Sequence, residues 1–107
     1  MKQRIVILGA GESGTGSAVL ARKQQMDVFV SDMGTIKDRY KNILENHNIP
    51  FEEGQHTEQN ILSADEIVKS PGIPDNASII LQARKRNIPV VSEIEFAGRH
   101  TNACTIC

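Results

Sequence analysis

The chain is 107 residues long with a formal net charge of -1, which leaves room for one domain with a real core but not for a two-domain enzyme. The balanced charge gives no electrostatic footprint for nucleic acid or for an acidic membrane surface, so neither is an expected partner. No apolar run approaches the roughly 20 residues of a membrane span, and Met1-Lys2-Gln3-Arg4 leads into a strand rather than a signal peptide's apolar stretch, so a cytoplasmic protein is expected.

The first element is the apolar strand Ile5-Val6-Ile7-Leu8, which runs into Gly9-Ala10-Gly11-Glu12-Ser13-Gly14 and a helix over Ser13 to Gln25. In such a turn Gly9 permits the tight reversal, Gly11 lets phosphates approach the backbone, and Gly14 lets helix and strand pack closely. The unpaired N–H groups and positive dipole end of the helix can hold a diphosphate without a basic side chain. Glycines at this spacing also occur purely for shape. Within the helix Ala18, Val19 and Ala21 should face the sheet, with Arg22, Lys23 and Gln24 outward.

Val28-Phe29-Val30-Ser31-Asp32 is a buried strand ending in an acid, as a parallel sheet covered on both faces requires. Asp32 follows Gly11 by about the ~20 residues expected of an acid that accepts hydrogen bonds from a ribose or a base; the bland alternative is a strand-end turn residue. A second helix should start at Gly34-Thr35, where Thr35 and Asp38 have capping-box spacing, and present Ile36, Tyr40, Ile43, Leu44 and His47 on one face. His47 suits a helix C-terminus, Asn48 a C-cap, and Pro50 ends the run.

Pro50-Phe51-Glu52-Glu53-Gly54 carries little apolar content and fits an edge strand. Thr57 can cap a short helix through Leu62, and Glu66 to Ser70 forms the fourth strand. The rigid loop Pro71-Gly72-Ile73-Pro74 follows it. Asp75 or Asn76 should cap the next helix, with Ala77, Ile80 and Leu81 inward and Arg84-Lys85-Arg86 a solvated cluster at its end. Pro89 to Val91 is the fifth strand, and Ser92 with Glu95 forms a capping box for a helix through Arg99. Strands alternating with helices imply one α/β domain, a Rossmann-like open parallel five-stranded sheet in the order 3-2-1-4-5 with helices on both faces.

The two cysteines, Cys104 and Cys107, lie in the apolar run Ala103 to Cys107. Zinc would need two more ligands, and His47, His56 and His100 show no partner spacing; a redox pair would open a helix rather than sit in a strand. Both read as small buried apolar side chains. Because that run ends without a turn, the chain is expected to be a fragment of a longer protein.

Ligands of such sheets bind beyond the carboxyl ends of the strands, where strand order reverses. Gly9 to Gly14, Asp32 to Gly34 and Ser70 to Gly72 should converge there. A carboxylate about 4 Å from a phosphate would cost roughly 1 kcal/mol in water and more at protein-like dielectric, so Glu12 must point into solvent or toward sugar hydroxyls. Ser13 either donates to a phosphate or caps the helix. Lys69, Glu93 and Glu95 lie near the crevice as structural or substrate-orienting groups. With no Gly-x-x-x-x-Gly-Lys-Ser/Thr loop, no nucleophile beside a base and no metal cluster, this stretch should bind and not catalyse.

The glycine turn, Val30-Ser31-Asp32, Lys69-Ser70-Pro71-Gly72-Ile73-Pro74 and Val91-Ser92-Glu93-Ile94-Glu95-Phe96 together resemble the amino-terminal domain of the Mur ligases, in particular the members that add D-glutamate. The resemblance covers the whole chain, and Ser-Pro-Gly-Ile followed by the Ser-Glu-Ile-Glu helix is its most specific part. It implies a site for the UDP part of UDP-N-acetylmuramoyl-L-alanine formed by Gly11, Glu12, Ser13, Gly14, Asp32, Met33, Ser70, Pro71 and Gly72, with Asp32 on the uracil. ATP and Mg are implied for the parent ligase, in later domains. It also implies that Thr105-Ile106-Cys107 leads toward the family's ATP-binding turn; a monomer is expected. Some members follow the uracil-binding acid with a hydroxyl residue and an arginine, whereas Met33 and Gly34 stand here; Met33 can pack on the base, and Lys37 or Arg39 could reach back. A nicotinamide-binding domain of a dehydrogenase, a nucleotide-sensing module and a scaffold whose glycines only pack are the competing readings.

Overall fold

The computed structural model describes residues 3–74 and 76–100. Among these residues five strands and five helices alternate: β1 (Arg4–Leu8), α1 (Glu12–Lys23), β2 (Asp27–Asp32), α2 (Asp38–Asn46), β3 (Phe51–Glu53), α3 (Glu58–Ile61), β4 (Glu66–Lys69), α4 (Ser78–Lys85), β5 (Val90–Ser92) and α5 (Glu93–His100). The sheet has the order β3-β2-β1-β4-β5 and every pairing is parallel. The expected order is therefore found, as is the edge position of the third strand, which is confined to Phe51–Glu53 within the expected Pro50 to Gly54.

Alternation along β1 divides the core into two layers. Ile5 and Ile7, with Val28, Val30 and Val68, pack against Ala18 and Ala21 of α1, Leu44 of α2 and Phe96 of α5. Val6 and Leu8, with Phe29 and Ile67, pack against Ile61 of α3 and Ile79, Ile80 and Ala83 of α4. Both faces of the central strands are thus dry, which is why they read as unbroken apolar runs.

Three helices return to the sheet through one device. After α1, α2 and α4 a non-glycine residue takes positive φ: Gln25 at 64°, Asn48 at 56° and Asn87 at 61°. The next residue, Met26, Ile49 or Ile88, donates its N–H back to Ala21, Leu44 or Ala83. Each is a Schellman closure with an apolar residue folded under the helix end. Asn48 therefore follows the cap instead of being it, and His47 is the C-cap, its Nδ1 2.9 Å from the Ile43 carbonyl oxygen.

Other boundaries differ from expectation. α1 starts at Glu12 and ends at Lys23, and α2 starts at Asp38 after Lys37, so Thr35 does not cap it. Residues 33–37 are held instead by acceptors at β-strand ends: Gly34 N–H donates to Asp32 Oδ1 and Ile36 N–H to Glu53 Oε1, both at 2.8 Å. Ile36 is buried, but from a loop, and Ile43 lies at the surface. Ala77 rather than Asn76 precedes α4, which turns Ile79 inward and leaves Leu81 49% exposed. Thr57 precedes α3 as expected, yet its side chain accepts no helix N–H and its hydroxyl donates to Glu52 instead. The Ser92–Glu95 capping box is present and reciprocal, with both bonds at 3.1 Å. The expected cap at Asp75, the side chain of His100 and the cysteine-bearing run 103–107 lie outside the described residues. No helix among the described residues is long and apolar enough to cross a membrane.

Candidate functional site

The chain reverses strand order between β1 and its neighbours β2 and β4, and the cleft lies beyond their carboxyl ends. Gly9 leaves β1 with φ at 100°, and a Cβ there would come within 2.8 Å of Ser70 Cβ, so this turn accepts only glycine. Its N–H donates to the Ser31 carbonyl at 2.8 Å, and Ser70 N–H donates to the Leu8 carbonyl at 3.0 Å. The turn is thereby fastened to both neighbouring strands.

Each motif glycine meets a different demand. A Cβ on Gly14 would collide with the Gly9 carbonyl oxygen, which lies directly beneath the first turn of α1. Gly11, the N-cap of α1, has an ordinary φ of -80° and nothing within 4 Å of a Cβ position. Its lack of a side chain is not required by anything in the chain, so what it provides is open access to the helix N-terminus.

Gly9, Ala10, Gly11, Asp32, Met33, Ser70 and Gly72 line one cavity of about 240 Å³, together with His56 and Ile73. The three expected segments do converge. A second cavity of about 390 Å³ adjoins it, sharing Met33, His56, Gly72 and Ile73 and extending to Glu58, Ser78 and Gln82. Met33 is 61% exposed on the wall of both.

Asp32 is occupied as well as placed. Its Oδ2 accepts the N–H of Ala10 and its Oδ1 that of Gly34, both at 2.8 Å. The carboxylate thus clamps the glycine turn to the end of β2 and keeps only its remaining lone pairs for a ligand. This is the turn role weighed for it from sequence, carried out across two strands.

Glu12 and Ser13 are exposed on the first turn of α1 and Pro71 is exposed in its loop, while Gly14 is buried; none of the four lines the cavity of the glycine turn. Ser13 does not cap α1, because Gly11 holds that position without a side-chain bond. Lys69 donates to the Ile73 carbonyl at 3.0 Å, bracing the loop 71–74. Glu95 serves its capping box. Glu93 is buried in a groove between α1 and α5 with Ser13, Ser17 and Ile94; its carboxylate lies behind the glycine turn, 3.0 Å from where a Cβ on Gly14 would stand, without lining the cavity of that turn, and burial pushes its carboxyl above the ordinary range. Arg39 lies over its neighbour Tyr40, 4.8 Å from the ring centroid, and neither it nor Lys37 lines either cavity. Among the described residues no three His, Cys, Asp or Glu side chains converge as a metal site requires.

Sequence reasoning missed His56. Half-buried on the wall of both cavities, it approaches Ser31 Oγ through Nδ1 at 2.6 Å. Ser31 Oγ also lies 2.9 Å from Glu52 Oε2 and 3.0 Å from the Gln55 carbonyl. Burial lowers the imidazole's pKa against the opposing pull of Glu52 and Asp32, so the neutral ring is favoured. The available signal was the position of Gly54-Gln55-His56 directly after an edge strand, at the cleft end of the sheet.

An open parallel sheet with a glycine turn at its switch point and an acid closing the neighbouring strand defines a Rossmann-like α/β domain. The family model described as the MurD N-terminal domain matches residues 4–79, and the chain belongs to that family. It is 62% identical over 105 residues to a UDP-N-acetylmuramoylalanine--D-glutamate ligase of Bacteroides fragilis, covering 98% of this chain and 24% of that one. The ligase of the same name from Porphyromonas gingivalis is 58% identical over 107 residues, again 24% of its length. The chain thus spans about a quarter of the curated relatives it matches. Among solved structures, a murein peptide ligase of Psychrobacter arcticus superposes with a TM-score of 0.84 at 21% identity, covering 94% of this chain and 21% of that one. A pseudomurein peptide ligase type C of Methanothermus fervidus gives 0.79 at 24% identity, with the same two coverages. These likenesses show the fold.

Proposed function

We propose that this chain holds the UDP part of UDP-N-acetylmuramoyl-L-alanine, as the amino-terminal domain of an ATP-dependent ligase that adds D-glutamate in cytoplasmic peptidoglycan synthesis. The observation that carries this reading is Gly11: an unobstructed N-cap at the start of a 12-residue helix, inside the cleft. The diphosphate sits against the backbone N–H groups of Glu12, Ser13 and Gly14, with the Ser13 hydroxyl as a further donor and the Glu12 carboxylate turned to solvent. Asp32 offers its remaining lone pairs to the nucleoside, Met33 an apolar surface to the base, and Ser70 and Gly72 the opposite wall, with Pro71 stiffening the loop that carries them.

In the parent reaction ATP converts the substrate carboxylate to an acyl phosphate, which the amine of D-glutamate attacks with loss of phosphate. ATP, Mg and the reacting groups belong to parts of the parent outside this chain, whose share is to anchor the substrate by the end remote from the chemistry. Titration calorimetry tests the reading: UDP binds weakly, and the chain does not hydrolyse ATP. No heat with millimolar UDP, together with tight binding of NADH, would overturn it.

A further inference from the structure

We infer that His56 is a specificity-determining residue of this cleft, its Nε2 accepting a hydrogen bond from the imide N3–H of a uracil base. The inference rests on the uridine-nucleotide reading above and adds to it the group that reads the base.

The argument starts at Ser31, which is fully buried. Its hydroxyl has one proton and faces three neighbours, Glu52 Oε2, the Gln55 carbonyl and His56 Nδ1, at 2.9, 3.0 and 2.6 Å. A carboxylate and a carbonyl can only accept. The serine proton therefore goes to an oxygen, and the shortest contact is an Nδ1–H donating to Oγ. Glu52 is itself fixed by the Thr57 N–H at 2.8 Å and by the Thr57 hydroxyl. The chain from Thr57 through Glu52 and Ser31 thus sets one tautomer of the ring, with the proton on Nδ1 and a bare lone pair on Nε2.

Nε2 has no hydrogen-bond partner among the described residues, and the ring forms part of the wall shared by both cavities. Meanwhile each Asp32 oxygen already accepts one backbone N–H. An acceptor without a partner on the wall where a base would lie, beside the exposed apolar face of Met33, matches a ring that presents one N–H donor between two carbonyls. Asp32 keeps one free lone pair on each oxygen for the nucleoside beside it.

The test compares UDP with N3-methyl-UDP, which lacks only that donor, by calorimetry on the chain. UDP should bind about tenfold more tightly, the equivalent of one hydrogen bond. His56→Leu should bring UDP down to the affinity of the methylated analogue and leave the analogue unchanged, with thermal unfolding confirming the fold. A readout on the unmodified chain keeps the inference falsifiable should that variant not fold: in long-range proton–nitrogen spectra of the imidazole, Nε2 should be unprotonated in the free chain and shift with UDP but not with N3-methyl-UDP. Equal affinity for the two nucleotides, a preference that survives His56→Leu, or a proton on Nε2 would overturn the assignment. Binding of neither nucleotide would instead overturn the uridine-nucleotide reading beneath it.

Discussion

The carboxylate of Asp32 accepts the backbone N–H of Ala10 at 2.8 Å, so the last residue of β2 holds the glycine turn that follows β1. Ala10 is almost wholly buried, and its N–H has no other acceptor within the turn. Replacing Asp32 by Ala strands that donor and frees Gly34 as well. A loss of about 2 kcal/mol in denaturant unfolding is expected, with Asp32→Asn intermediate because its amide keeps one acceptor oxygen.

The glycines separate folding from binding. Gly14→Ala forces Cβ into the Gly9 carbonyl and should cost about 2 kcal/mol or more in unfolding experiments. A Cβ on Gly11 meets nothing within 4 Å, so Gly11→Val should cost no more than the exchange of a glycine N-cap, about 1 kcal/mol, while losing UDP binding, since its side chain stands where the phosphates approach. Equal destabilisation by both changes would assign Gly11 a purely structural role.

Gln25 spends conformational energy at φ 64° to close α1. Gln25→Gly should stabilise the chain by about 0.5–1 kcal/mol, because the left-handed conformation carries no Cβ penalty for glycine. A raised thermal midpoint with unchanged nucleotide binding checks it.

Arg99 on α5 donates to both oxygens of Glu66, each at 2.7 Å, and Glu66 is 4% exposed at the start of β4. Arg99→Ala leaves a buried carboxylate without its counter-charge. The expected cost is about 2 kcal/mol, discounted from a fully buried pair because Arg99 is half exposed. Glu66→Gln in the same background should recover part of it in denaturant unfolding.

Acid should weaken the fold in two steps. Burial alone would raise the Glu52 pKa, but the hydrogen bonds from Thr57 and Ser31 and the charge of His56 outweigh it and hold the carboxyl below its ordinary 4.5. Its contribution is therefore complete above about pH 4.5 and is lost as pH falls through the lowered value. His56, lowered from 6.5 by burial, contributes in full above about pH 6.5 and loses that contribution as pH falls toward its own lowered value. Unfolding midpoints measured from pH 7 to pH 3 should show both declines, and Glu52→Gln should flatten the lower one.

The sheet order was legible because its signals are local: unbroken apolar runs for the central strands, acids at the edge strand, and a Ser92–Glu95 spacing that closes on itself. What was not legible depends on partners far along the chain. The start of α2 is set by Glu53, 17 residues from the Ile36 N–H it accepts, and nothing near Thr35 records that. Ile79 and Leu81 flank Ile80 with nearly equal hydrophobicity, so only the cap position decides which turns inward. The convergence of three segments at the cleft followed from topology alone, whereas the clamping role of Asp32 and the tautomer chain ending at His56 require coordinates.

Backbone amide mapping by heteronuclear magnetic resonance, with UDP titrated into the labelled chain, tests the nucleotide cleft most directly. The largest shifts are expected at Gly11, Glu12, Ser13, Asp32, Ser70 and Gly72, with little movement at Ser17, Leu20, Ile94 and Ala97 along the groove between α1 and α5. Shifts confined to that groove, or none at millimolar UDP while NADH perturbs the glycine turn, would contradict it.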